Sequence, residues 1–282
     1  MTLERFAEVV RREDARIDLA EACLMIAQDA YPGLDVGRYL GEIERMALQL
    51  RARMPQSYKP EDRVLALNDF LFDHLGYYGN VDDYYDPRNS YLNDVIDRRT
   101  GIPITLSILY MEIGRRVGLP LEGISFPGHF MVRLRVRSGT LVLDPFACGA
   151  PQSEAELRER LKRVIPEGLT AEVPVAELPL EQFLEPASKR QILSRVLRNL
   201  KAIYREKQNP ERMLEVLNRM LVLSPEASAE LRDRGYVYER LECWRPALKD
   251  LTEYLEREPD APDVSEVRVR LMELTALCAR LN

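Results

Sequence analysis

Thr100-Gly101-Ile102-Pro103 opens a run in which Leu106, Ile108, Leu109, Met111, Ile113 and Val117 leave no polar face, and Gly118 closes it. Apolar residues on every side of a helical period predict a helix buried in a core. Proline suits its first turn, where no backbone donor is needed, and glycine suits the position just past its end. Three β-type runs follow, at Leu121–Phe126, His129–Val136 and Thr140–Phe146, with Ser138-Gly139 as a tight turn between the last two. A buried helix followed by an antiparallel meander predicts an α+β domain.

On the N-terminal side, the first sixty or so residues repeat apolar positions at helical spacing (Leu19, Cys23, Ile26, Ala27; Leu40, Ile43, Met46, Ala47, Leu50), with Pro32-Gly33 between two helices. A third helix is expected from about Asp62 to His74, stopping at Gly76. Residues 77–93 are rich in tyrosine, asparagine and aspartate without regular periodicity, and read as a loop held by its own tyrosines and by side-chain-to-backbone bonds. Beyond Gln152 a charged helix reaches about Val164, after which Pro166, Pro174, Pro179 and Pro186 punctuate an irregular stretch. The domain boundary is placed there, giving domains 1–186 and 187–282.

The C-terminal part repeats itself. Leu197 and Leu231, Tyr204 and Tyr238, Leu217 and Leu251, Leu221 and Leu255, and Pro225 and Pro259 are each thirty-four residues apart. Paired helices at that period are the mark of the tetratricopeptide repeat. Gly235 and Ala247 supply the small residues the second copy needs, whereas Lys201 and Met213 replace them in the first. A helix from about Asp263 to Leu281 would cap the stack.

His129 is one of only two histidines, and Asp144 follows it by fifteen residues. In thiol acyl transfer an imidazole takes the proton of a cysteine, a carboxylate orients the imidazole, and the cysteine sits at a helix N-terminus that lowers its pKa. His129 and Asp144 fit two of these roles, but the helix opens on Pro103, which cannot be a nucleophile. Cys148, Thr105 and Ser107 are the alternative attacking groups. An uninterrupted strand would put His129, Met131, Arg133, Arg135 and Arg137 on one face, where the arginines could hold an anion or an acidic peptide end. No metal site is expected from one histidine and one carboxylate, and the acidic run at residues 82–86 lacks a calcium-loop pattern. No cofactor is implied.

Forty basic against forty-six acidic residues, a net charge of −6 and a pI near 5.3 argue against a nucleic-acid binder. A charged N-terminus and the lack of a long apolar run argue against a secretory signal or a membrane span, so a cytoplasmic protein is expected. The four cysteines form no paired motif and read as free thiols.

Several short runs point to a family: Gly79-Asn80, Tyr85-Asp86-Pro87, Asn89-Ser90-Tyr91-Leu92-Asn93, Arg98-Arg99-Thr100-Gly101-Ile102-Pro103, Phe126-Pro127-Gly128-His129-Phe130 and Asp144-Pro145-Phe146. The stretch from Leu67 to Pro151 resembles the transglutaminase-like core of the bacterial SirB type, and the helical tail resembles the tetratricopeptide region of such proteins. The resemblance implies a papain-like α+β core with a central helix and antiparallel sheet, followed by an all-α repeat domain. It places the family's cysteine position on Pro103, fifteen residues before Gly118, and its histidine and aspartate on His129 and Asp144. The expectation is a non-catalytic adaptor that binds a peptide or small ligand over His129 and Asp144, beneath the 77–93 loop. A hydrolase or acyl-transferase is the alternative. Asn80, Tyr85, Asn89, Asn93 and Arg133 are the expected binding residues in the core, with Tyr204 and Tyr238 in the repeats, where residues 189–282 would engage a protein or peptide partner.

Overall fold

The computed structural model describes residues 2–137, 139–165 and 178–280. Twelve helices and six strands are formed among them. In chain order these are α1 (Thr2–Val10), α2 (Leu19–Ala30), α3 (Val36–Arg53), α4 (Pro60–Asn68), β1 (Tyr78–Gly79), α5 (Leu92–Arg98), β2 (Thr100–Gly101), α6 (Pro103–Arg116), β3 (Glu122–Ile124), β4 (Met131–Val136), β5 (Gly139–Asp144), β6 (Ala150–Pro151), α7 (Glu154–Val164), α8 (Lys189–Glu206), α9 (Pro210–Leu223), α10 (Ser228–Arg240), α11 (Trp244–Arg257) and α12 (Val264–Arg280). The chain divides into two compact units: residues 13–196, and residues 197 onward together with the N-terminal segment through Arg12. The division therefore differs from the expected one at both ends. It falls at Val196 and Leu197 instead of 186 and 187, and α1 joins the repeats because it packs on α9, with the Arg219 guanidinium 4.8 Å above the Phe6 ring.

In the first unit, α6 forms as its sequence dictates. Pro103 occupies the first turn, the Thr105 hydroxyl accepts a hydrogen bond from the Ile102 amide at 3.2 Å, and Pro103 through Gly114 are all buried. Gly118, at φ +80°, ends the run. The sheet has the order β3-β4-β5-β6, antiparallel throughout, with Val132 opposite Leu143 and Val136 opposite Gly139. Ser138 of the expected turn lies outside the described residues, as do Pro166, Pro174 and Leu281. Met131, on one face, packs with Ile124, Phe126 and Val142 against Leu157 and Leu161 of α7 and against Leu180. Val132 and Leu134 are buried on the opposite face, and both β3 and β4 contact α6. The sheet is therefore covered by α6 on one side and α7 on the other.

Two features were not anticipated. The expected helix from Asp62 to His74 is α only to Asn68 and widens into a π-turn over Asp69–His74 before Gly76 at φ +71°. Within the 77–93 loop, β1 pairs in parallel with β2, Tyr78 against Thr100 and Gly79 against Gly101, which ties the loop to the residues that lead into α6.

The second unit contains the part of α8 from Leu197 onward with α9, α10, α11 and α12, and within it α10 packs on α9 and α11, and α12 on α11. An added Cβ on Gly235 would lie 2.8 Å from Leu251, so the small residue permits close helix approach. At the equivalent place in the first copy, Lys201 turns its ammonium to Asp233 at 2.7 Å and Glu230 at 3.6 Å. A charge pair thus replaces close packing there.

Candidate functional site

Gly128, at φ +70°, turns the chain so that the His129 amide donates to the Phe126 carbonyl, and β4 begins only at Met131. His129 is therefore not part of the strand, and the predicted shared face does not extend to it. An added Cβ on Gly128 would lie 2.7 Å from Val164, so this turn rests against the end of α7. Asp144 ends β5 and is 1% exposed. The His129 Nε2 lies 2.9 Å from each oxygen of its carboxylate. An ionised carboxylate only accepts, so Nε2–H donates, and in the neutral ring Nδ1 is the atom left to take a proton. Asp144 also accepts from the Arg160 guanidinium at 2.9 Å and the Phe146 amide at 3.1 Å.

The other corner of the site is closed. Pro103 stands at the head of α6, and the Thr105 hydroxyl donates to the Asn89 carbonyl at 2.7 Å while taking the Ile102 amide. Ser107 is fully buried, and its hydroxyl has no partner among the described residues. Cys148 is exposed, in a left-handed conformation at φ +54°. Although the residue is exposed, partial desolvation of its thiol pushes the pKa up, and the carboxylates of Asp73 and Asp144 push it further. That is the reverse of the electropositive setting that makes a reactive thiolate.

The loop between β1 and α5 is organised by asparagines more than by tyrosines. Asn80 Nδ2 donates to Asn89 Oδ1 at 3.1 Å, and Asn80 Oδ1 accepts the Asp83 amide at 3.0 Å. Asn89, fully buried, donates to the carbonyls of Asp83 at 2.7 Å and Tyr84 at 3.3 Å. Asn93 is buried, with its Oδ1 unpartnered among the described residues. Asp86 pairs with Arg88 at 2.8 Å and Arg98 at 3.5 Å. Burial raises its pKa, but the bonds from Arg88 and the charge of Arg98 outweigh this and hold it below the usual carboxylate value.

The loop also carries a row of rings. Tyr85 meets Tyr84 with centroids 5.3 Å apart, Tyr84 meets Phe146 at 6.2 Å, and Phe146 meets His129 at 6.0 Å, every pair edge to face. Gly79 makes room for this, since an added Cβ would come within 2.5 Å of the Phe146 ring.

Of the residues expected to bind, Asn80 and Asn89 shape the loop, Tyr85 is exposed at the outer end of the row, and Asn93 lies beneath the surface. Arg133 does not join His129. It faces α7, where its Nε donates to Glu122 at 2.8 Å and its Nη1 to the Leu184 carbonyl at 2.7 Å. Arg135 is 4.0 Å from the same Glu122. In the repeat unit, Tyr204 is buried and Tyr238 lies beneath the Arg234 guanidinium at 5.7 Å. Among the described residues no three His, Cys, Asp or Glu side chains are placed to hold a metal, and no helix is long and apolar enough to cross a membrane. Sequence reasoning missed Arg160, Tyr84 and Phe146 as site residues. The available signal for Arg160 was its position three residues beyond Leu157 and beside Leu161, on the flank of the buried stripe of α7.

Comparison with known proteins matches residues 37–198 to the transglutaminase-like superfamily and residues 200–272 to the tetratricopeptide repeat. A UPF0162 protein of Xylella fastidiosa (strain 9a5c) is 43% identical over 263 residues, covering 93% of this chain and 92% of that one. A UPF0162 protein of Pseudomonas aeruginosa is 30% identical over 262 residues, 93% of each chain. Protein SirB1 of Salmonella typhimurium is 27% identical over 231 residues, 82% of each.

Proposed function

From the premise that this chain belongs to the SirB-type branch of the transglutaminase-like superfamily and carries a tetratricopeptide region, we propose that it is a non-catalytic cytosolic binding protein. The cleft over His129 and Asp144 receives an extended peptide or small ligand beneath the 77–93 loop, and the repeats engage a protein partner. The observation that carries this reading is the head of α6. Its first residue is Pro103, and its nearest hydroxyl, on Thr105, is engaged on both sides by Asn89 and Ile102. The runner-up nucleophile, Cys148, is disfavoured as a thiolate by partial desolvation and two carboxylates.

The test is incubation of the full chain with an activated aryl ester and an acyl thioester, followed by intact-mass measurement and by comparison with His129→Ala. The reading expects no acyl adduct and equal rates for both proteins. A stoichiometric adduct that forms in the wild type and disappears in His129→Ala would overturn it and establish an acyl-transfer enzyme.

A further inference from the structure

We propose that the ring row from Tyr85 through Tyr84 and Phe146 to His129 docks a proline-rich peptide segment that carries a basic residue. This rests on the reading of the cleft as a binding site and gives that site a ligand class.

Exposure is the first argument. Tyr78 is 56% exposed, Val81 71%, Tyr84 38% and Tyr85 62%, all within eight residues of a loop whose backbone is pinned by Asn80 and Asn89. Large apolar side chains concentrated on a fixed surface mark an interaction site, because leaving them in water is unfavourable and nothing within the fold requires it. Tyrosine suits such a surface, since it presents contact area with few rotamers to immobilise.

Geometry is the second. Successive rings lie 5.3, 6.2 and 6.0 Å apart and meet edge to face at 75 to 77°. Rings set at right angles leave notches instead of one flat platform. A polyproline II strand advances about 6 Å for every two residues, so prolines spaced along it match successive notches. Such a strand is already extended before binding and loses little entropy on docking.

Charge is the third. Asp82 and Asp83 are exposed in the same loop, and among the described residues neither carboxylate has an ion-pair partner. Asp83 is held in place through its backbone, its amide bonded to Asn80 and its carbonyl to Asn89. The other carboxylate of the loop, Asp86, is already neutralised by Arg88 and Arg98. Two exposed carboxylates without an ion-pair partner among the described residues, in the loop that carries Tyr84 and Tyr85, call for a cation on the ligand. A neutral sugar would leave both charges unanswered and would favour a flat ring face, so the observations favour the peptide.

The experiment uses the full chain and synthetic peptides of about ten residues, long enough to span the row in polyproline II form. The first has prolines at alternate positions and one arginine. The second has alanine for every proline. The third keeps the prolines and has glutamate for arginine. A cello-oligosaccharide is the fourth probe. Binding is read by calorimetry and by the ring resonances of His129, easily assigned because the only other histidine is His74. The first peptide should bind saturably and shift His129, and replacing its prolines or introducing Tyr84→Ala should weaken it about tenfold. The glutamate peptide, and the wild-type peptide on Asp82→Asn/Asp83→Asn, should each bind several-fold more weakly, with the difference shrinking at high salt. Tyr85→Ala, at an exposed position, provides a second ring variant whose fold is not at risk.

Equal binding of the alanine peptide would overturn the proline requirement while leaving the peptide cleft standing. Binding of the sugar alone would overturn the ligand class. If no probe moves the His129 resonances, both the inference and the cleft reading fall.

Discussion

At the Asp144 corner of the cleft, one buried carboxylate gathers His129, Arg160 and the Phe146 amide, and the imidazole keeps its Nδ1 for other use. At the α6 corner, a few residues away in the same fold, Pro103 and a doubly bonded Thr105 seal the helix head. Both corners are held by hydrogen bonds, but at the first the His129 Nδ1 has no hydrogen bond among the described residues. The contrast separates two demands that a thiol enzyme joins, because an oriented imidazole is useful for binding by itself whereas acyl transfer also needs a nucleophile within its reach. The first corner presents a polar floor, and the second is closed by structural hydrogen bonding.

The largest expected effect lies at the first corner. Asp144→Ala leaves the Arg160 guanidinium and the His129 ring without their shared acceptor, and should lower unfolding free energy by about 3 kcal/mol in denaturant titration. A loss below about 0.5 kcal/mol, the usual range for exposed substitutions, would mean the pair is not the anchor described.

At the second corner, Asn89→Ala removes three side-chain bonds that hold the loop and should destabilise by about 2 kcal/mol. The same change should speed amide exchange at residues 80–90 while leaving β4 and β5 protected. Uniform exchange changes would show that the loop is not held locally.

Acid provides a smaller and signed effect. Asp86 sits below the usual carboxylate value because Arg88 and Arg98 outweigh its burial. Its contribution is therefore complete above the ordinary aspartate pKa of about 3.9 and is lost as pH falls through its lower folded value. Asp86→Asn should cost about 1.5 kcal/mol at pH 7, with the gap from wild type closing below about pH 4. A gap independent of pH would assign the loss to packing. The smallest effect concerns Cys148, which should alkylate at pH 7 more slowly than a free peptide thiol, since partial desolvation, Asp73 and Asp144 all disfavour its thiolate.

Much of this contrast could be read from the chain. The all-apolar period of residues 103–117, with proline and glycine at its ends, determined α6, and the spacing from His129 to Asp144 anticipated a contact now seen at 2.9 Å. The thirty-four-residue period likewise predicted the helix pairs. The two-residue strands β1 and β2 could not be read, because so short a pairing has no periodicity. Nor could the fate of Arg133, whose partner Glu122 is set by strand register and whose second partner, the Leu184 carbonyl, is brought from far along the sequence. Strand alternation also misled at His129, since Gly128 turns the chain before the strand begins. Packing of α1 on α9 joins residues two hundred positions apart and left no local trace.

The central proposal is that the His129–Asp144 pair and the head of α6 belong to one site from which the nucleophile is missing. Pro103→Cys tests it directly, by following iodoacetamide labelling against pH with and without His129→Ala. The new thiol is expected to react at pH 7 about tenfold faster than a free thiol, as a helix-head cysteine beside an imidazole does, and to lose that advantage when His129 is removed. Ordinary reactivity, unchanged by His129→Ala, would contradict the proposal and show that the two corners do not form one site.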